Sequence, residues 1–206
     1  MSKPERCLRA DASFFMLLFL ALLSAPPLVT AAVLLAATLH ELGHLAALRA
    51  FGVPVRGLRL SAWGAVLYAP GTCRLSYGRE LLVTLAGPAV NLLCAPALAF
   101  LAVRTRWEPG FLLAGAHAVL GVYNLLPIAP LDGGTAVYLI TAFLFGPTVG
   151  DAVCAASGMT CALILFAIGA YLSLGCGCGF LFLLAATGLL AGSCAQLGLA
   201  KTALNV

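Results

Sequence analysis

Charge is what this sequence has least of. Only 9% of its 206 residues are Asp, Glu, Lys or Arg, while 63% are hydrophobic; a soluble domain carries roughly a quarter charged residues. That deficit excludes an ordinary soluble domain. The formal net charge is a modest +4, and the basic residues mostly separate apolar runs. There is no basic stripe with interleaved aromatics, so nucleic acid is excluded as a partner. Internal repeats and long polar tracts are also missing, which removes repeat arrays and disordered arms. Histidine is scarce at three residues, and two of the three stand four positions apart.

Cysteine is not scarce. The eight are Cys7, Cys73, Cys94, Cys154, Cys161, Cys176, Cys178 and Cys194. Several lie inside apolar runs, where a thiol behaves as a small hydrophobe, so they do not fix a redox compartment. The Cys176-Gly177-Cys178 pair reads as small turn residues rather than a metal-binding pair.

Apolar runs dominate. A spanning helix takes about 20 mostly apolar residues, so the chain has room for about six. Runs at 12–25, 29–51, 80–103, 111–126, 152–174 and 180–199 fill that number, and a shorter one follows Gly134 as far as Phe145. Lys3, Arg6 and Arg9 precede the first run in the manner of a signal peptide, but Pro26 and Pro27 after Ala25 disfavour cleavage, so a short first span is expected. The second run stops at Arg49, Gly52 and Pro54, a helix-ending combination. Beyond it, Arg59-Leu60-Ser61 and Ala65-Val66-Leu67-Tyr68 read as two short strands joined around Trp63-Gly64. The expected fold is therefore an all-α polytopic membrane protein with about six transmembrane helices and a small β-hairpin inserted after the second. One domain is expected over 1–206, with its core motifs in 29–135 and its C-terminal helices in 152–199.

Loop charge orients it. Lys3, Arg6 and Arg9 precede the first span, Arg49, Arg56, Arg59, Arg74 and Arg79 follow the second, and Lys201 follows the last. By the positive-inside rule both termini and the hairpin face the cytoplasm, with Arg104 and Arg106 on the opposite side.

The second run contains His40-Glu41-Leu42-Gly43-His44. Histidines at i and i+4 share a helix face, so both imidazoles reach one Zn²⁺. Glu41 stands about 100° round the helix and is placed to act on water as a general base. An ionisable residue inside a spanning helix costs about 2.5 kcal/mol or more, so three polar groups in five residues need a shared reason. A buried hydrogen-bonded cluster or an ion path is the alternative to a metal site.

Two imidazoles leave catalytic zinc one protein ligand short. The candidate for the third is Asp132, in the segment Asn124-Leu125-Leu126-Pro127-Ile128-Ala129-Pro130-Leu131-Asp132-Gly133-Gly134. Pro127 and Pro130 each remove a helix hydrogen bond and push the residue before them out of helical conformation. Asp132 is thus expected on irregular backbone, which survives at membrane depth only where protein or a cavity surrounds it. The alternative is Asp132 as the N-cap of a helix beginning at Gly133. Along the second helix His44 lies about 8 Å and His40 about 14 Å from Arg49, and an inward-running fourth span brings Asp132 to a similar level.

These motifs resemble the site-2 protease family of intramembrane zinc metalloproteases. The resemblance is carried by His40-Glu41-Leu42-Gly43-His44, Asn124…Pro127…Leu131-Asp132-Gly133, Gly87-Pro88-Ala89-Val90-Asn91 and the hairpin sequence Leu58 to Gly64. It covers roughly residues 29–135 and is similar to the compact branch, without PDZ or CBS domain, that includes the sporulation factor-processing protease. Thr135 departs from it, standing where many relatives have a basic residue. The resemblance implies Zn²⁺ held by His40, His44 and Asp132, Glu41 activating water, and Asn124 near the scissile carbonyl. It also implies a transmembrane or membrane-associated protein substrate, lipid surroundings and a hairpin beside the active site. A helical substrate must unwind before cleavage, and the hairpin (Arg59, Leu60, Ser61, Ala65, Val66, Leu67) is expected to hold the unwound segment as an added strand. A helix–helix hydrogen bond is the other reading for Asn124, and the one expected for Asn91. His117 reads as a hydrogen-bonded packing residue, with a supporting role at the metal as its alternative.

Other intramembrane chemistries fit poorly. Ala155-Ala156-Ser157-Gly158 lacks the first glycine of a rhomboid serine motif and no histidine follows it; Thr148-Val149-Gly150-Asp151 lacks the first glycine of a presenilin-type aspartyl motif. The rival readings are a metal or proton transporter, for which repeated halves are missing, and a catalytically inactive scaffold, against which the intact Glu41 argues.

Overall fold

The computed structural model of the protein describes residues 7–61, 64–175 and 183–194. Trp63, the Cys176 and Cys178 pair, and Lys3, Arg6 and Lys201 lie outside the described residues. The chain forms two compact units, Met1–Val122 and Tyr123–Val206.

In the first unit, β1 (Cys7–Ala10) leads into α1 (Ala12–Ser24) and α2 (Pro27–Ala50). Then come β2 (Gly57–Ser61), β3 (Gly64–Tyr68), a short 3₁₀ turn (Thr72–Arg74), α3 (Tyr77–Thr105) and most of α4 (Glu108–Asn124). Among the described residues three helices are long and apolar enough to cross a membrane: α2, α3 and, in the second unit, α6 (Pro147–Gly175). The helices at 12–24, 132–145 and 183–194 are apolar but shorter.

Burial within α2 and α3 is inverted relative to a soluble bundle. Their buried faces carry Ala32, Ala36, His40 and Gly43, and Thr84, Gly87, Asn91, Ala95 and Ala102, while Leu93 and Val103 are 71% and 64% exposed. Small residues let two helix backbones approach closely, and large apolar ones suit a hydrocarbon surround. At Gly43 a Cβ would lie 2.7 Å from the Ala86 carbonyl oxygen, so this position is glycine because α3 passes there. Pro27 opens α2 at the position where a missing N–H costs nothing. Gly52, at φ +71°, closes it: the Val53 N–H reaches the Leu48 carbonyl at 2.9 Å and the Gly52 N–H reaches Arg49 at 3.0 Å. Leu48 and Val53 then pack in one buried cluster with Ala69 and Val83, holding the sheet against the end of α2.

The sheet corrects the expected hairpin. β2 and β3 pair antiparallel as the expected hairpin, in the register Leu58↔Leu67, Arg59↔Val66 and Leu60↔Ala65. A third strand is added by β1, parallel to β2 with Arg9 opposite Arg59. Parallel neighbours need a long crossover, and α1 with α2 supplies it. Four residues, Cys-Leu-Arg-Ala, are too few to announce a strand by alternation. Asp11, just past β1, secures the junction: its Oδ2 accepts from Arg59 Nε at 2.9 Å, and its N–H donates to the Leu60 carbonyl at 2.9 Å.

In the second unit, α5 (Asp132–Phe145), α6 and α7 (Leu183–Cys194) follow the segment 125–131. Ile128 is fully buried with Leu131, Ala162 and Leu189.

Candidate metal centre

His40 and His44 lie on one face of α2, and their Nε2 atoms stand 3.1 Å apart with the rings edge to face at 82°. Two nitrogens on tetrahedral zinc, at bonds of about 2.0–2.1 Å, sit about 3.3 Å apart. The pair is within a few tenths of an ångström of that spacing, so the ligands fit the metal their types favour. The Nδ1–H of His44 donates to the Val83 carbonyl of α3 at 2.8 Å. That bond fixes the tautomer and leaves Nε2 without a proton, as a ligand atom requires.

Gly87 makes the space. A Cβ there would collide with His44 Nε2, and would lie 2.9 Å from His40 Cε1. The Gly87-Pro88-Ala89-Val90-Asn91 element therefore shapes the imidazole cage: glycine admits the two rings, and one turn on Asn91 meets the far side of His40, its Nδ2 3.3 Å from Nδ1. His117 Nδ1 lies 2.9 Å from Asn91 Oδ1. The helix–helix role expected for Asn91 is present, but its partners are a candidate ligand and the third histidine. Sequence reading missed this chain, as well as Val83 and the steric role of Gly87. A glycine and an asparagine four apart on a helix that faces two histidines would have been the signal.

Glu41 is half-buried, next to the buried His40 on α2. Arg59, Leu60 and Ser61 lie in β2, and Ala65, Val66 and Leu67 in β3.

In the second unit, Asn124 ends α4 and Asp132 begins α5. The two prolines break the helix as expected, leaving bonds from Leu126 N–H to Tyr123 (3.1 Å) and Leu131 N–H to Ile128 (2.8 Å). The cap position is held by Leu131, whose side chain accepts no hydrogen bond, so the N-cap alternative for Asp132 is set aside; it is the first helical residue. A Cβ at Gly133 would collide with the Leu125 carbonyl, and one at Gly134 would lie 2.5 Å from Ala129 N. Both glycines let the first turn of α5 press on the irregular segment, where Ser157 Oγ also donates to the Pro127 carbonyl at 3.4 Å.

No family model matches the chain. Rip3 of Mycobacterium tuberculosis, which carries a zinc metalloprotease name, is 36% identical over 152 residues, covering 67% of this chain and 38% of that protein. Zinc metalloprotease MJ0392 of Methanocaldococcus jannaschii is 28% identical over 136 residues, covering 64% of this chain and 39% of that one. The chain spans less than two fifths of the length of these curated relatives. A solved structure, the Site-2 Protease from Methanocaldococcus jannaschii, shares the fold at a TM-score of 0.66 and 20% identity, over 92% of this chain and 89% of that one. The chain has the site-2 protease fold, and its sequence relatives carry zinc metalloprotease names. These likenesses agree with the resemblance carried by the His40–His44 motif and the Asn124–Gly133 segment.

Proposed function

We propose that this chain is a zinc-dependent intramembrane endopeptidase that hydrolyses peptide bonds of membrane-spanning or membrane-associated proteins. The observation that carries the reading is the His40–His44 pair, two Nε2 atoms 3.1 Å apart with the His44 tautomer set by Val83. His40, His44 and Asp132 hold the metal, each offering one ligand atom of a kind zinc takes. Bound there, zinc supplies Lewis acidity toward the scissile carbonyl and makes water a competent nucleophile at neutral pH.

Glu41 is the general base: it takes a proton from the attacking water and returns it to the leaving amine. The Asn124 amide donates to the oxygen on which negative charge develops. A helix hides its amides, so the substrate unwinds before cleavage and pairs as an extra strand along β3. The whole chain acts as one six-span unit with its site toward the cytoplasm. Pairing of β1 with β2 supports that orientation, because it brings the sequence before α1 and the sequence after α2 to one side.

The test uses detergent-purified protein and its Glu41→Gln variant with a panel of single-span peptides, with bound zinc measured in both. Zinc in both and cleavage by the parent alone is the expected result. A folded parent that takes up no zinc, even when supplied, would sink the proposal.

A further inference from the structure

Asn91 and His117 are both fully buried, and neither has a part in the chemistry above. Buried polar side chains are hydrogen-bonded for a reason. α4 reaches α3 closely here: at Gly121, one turn past His117, a Cβ would lie 3.2 Å from the Asn91 Cβ. The approach delivers His117 to Asn91, and Asn91 to His40.

With all three rings neutral, the bonds form one directed chain. His44 Nδ1–H donates to the Val83 carbonyl at 2.8 Å, so His44 Nε2 is bare and accepts from His40 Nε2–H at 3.1 Å. His40 Nδ1 is then bare and accepts from the Asn91 amide N–H at 3.3 Å, while Asn91 Oδ1 accepts from His117 Nδ1–H at 2.9 Å. Each ring carries one proton. A His40 that ligates through Nε2 must instead keep its proton on Nδ1, and that N–H needs an acceptor where Asn91 now presents a donor. Turning the Asn91 amide by half a revolution exchanges its oxygen and nitrogen in place. Oδ1 then accepts from His40 Nδ1–H, Nδ2–H donates to His117 Nδ1, and the His117 proton sits on Nε2. Each imidazole has one proton before and one after, so nothing is gained or lost.

We propose that Asn91 is a positioning residue that sets the tautomer of the ligand His40, and that His117 is its reversible partner, holding the amide in either sense. The inference rests on the zinc reading above. His117 suits the part because its Nε2 is buried with no hydrogen-bond partner among the described residues, so no second contact locks the ring into one tautomer.

The experiment uses the full chain in detergent with ¹⁵N-labelled histidine, followed by NMR as zinc is added, alongside zinc affinity by chelator competition. Zinc should move His117 from the Nδ1–H to the Nε2–H tautomer at constant pH. Asn91→Leu should weaken zinc binding about 10–100-fold, the cost of losing an outer partner of a ligand. Asn91→Asp, which keeps an acceptor for His40 Nδ1–H, should stay within a few-fold of the parent. His117→Leu should weaken binding in the parent but not in the Asn91→Leu background. A parent that binds zinc while the His117 nitrogens do not shift overturns the inference and leaves the protease reading standing, whether or not Asn91→Leu folds. A folded parent that binds no zinc overturns both.

Discussion

His44 Nδ1–H donates to the carbonyl of Val83 at 2.8 Å, and this one bond between α2 and α3 decides which nitrogen of His44 faces His40. The candidate metal centre is therefore a property of a helix pair and not of the His40–His44 motif alone. Small buried residues draw α3 against α2, and the main chain of α3 then orients the ring.

Gly87→Ala tests that dependence. Alanine favours a helix by about 1 kcal/mol over glycine, yet here its Cβ would collide with His44 Nε2. The expected outcome is retained helix content with zinc affinity reduced tenfold or more, read by chelator competition. Gly115→Ala in α4 is the control, since a Cβ there meets nothing within 4 Å; it should leave zinc binding unchanged. Equal zinc binding by Gly87→Ala and the parent would remove the glycine from the site.

The difference between what the sequence displays and what it conceals follows the range of the physics. Helix spacing places His40 and His44 on one face, and prolines at 127 and 130 announce broken backbone before Asp132, because both effects are local. Gly52 likewise ends α2 by its own conformation. Strand β1 is concealed because its stabilising partner, β2, lies across two helices, and the four residues carry no alternation to betray it. The Asn91–His117 bond is hidden for the same reason: it joins residues 26 apart on different helices, with no periodicity linking them.

Gly133→Ala should be destabilising in a way that no side-chain movement relieves. The added carbon would meet the Leu125 carbonyl, which is backbone. Overpacking of this kind costs about 1–3 kcal/mol or more, so thermal unfolding in detergent should shift down by several degrees and cleavage should fall with it. An unchanged melting temperature would mean that the segment before Asp132 is looser than the close approach of Gly133 to Leu125 indicates.

The β3 strand should matter to the substrate and not to the metal. Val66→Pro places a residue without an N–H opposite Arg59 in the sheet. Cleavage of single-span peptides should drop tenfold or more, with bound zinc at the parent level. Intact cleavage by a folded Val66→Pro variant would remove strand addition from the mechanism.

Zinc should also stabilise the protein against heat, because a ligand that binds only the folded state adds about 2.7 kcal/mol when present at a hundred times its dissociation constant. After chelation and refilling, the parent should gain melting temperature and regain activity together. His40→Ala with His44→Ala should show no gain, since the paired Nε2 atoms are gone. Asp132→Ala is the informative case. A third ligand lost from a site of three leaves two imidazoles in place, so the gain should shrink to a small fraction while the protein without metal melts near the parent. If Asp132→Ala keeps the full zinc-dependent gain, the third ligand is another residue, and the role of the turn after Pro130 becomes one of shape alone.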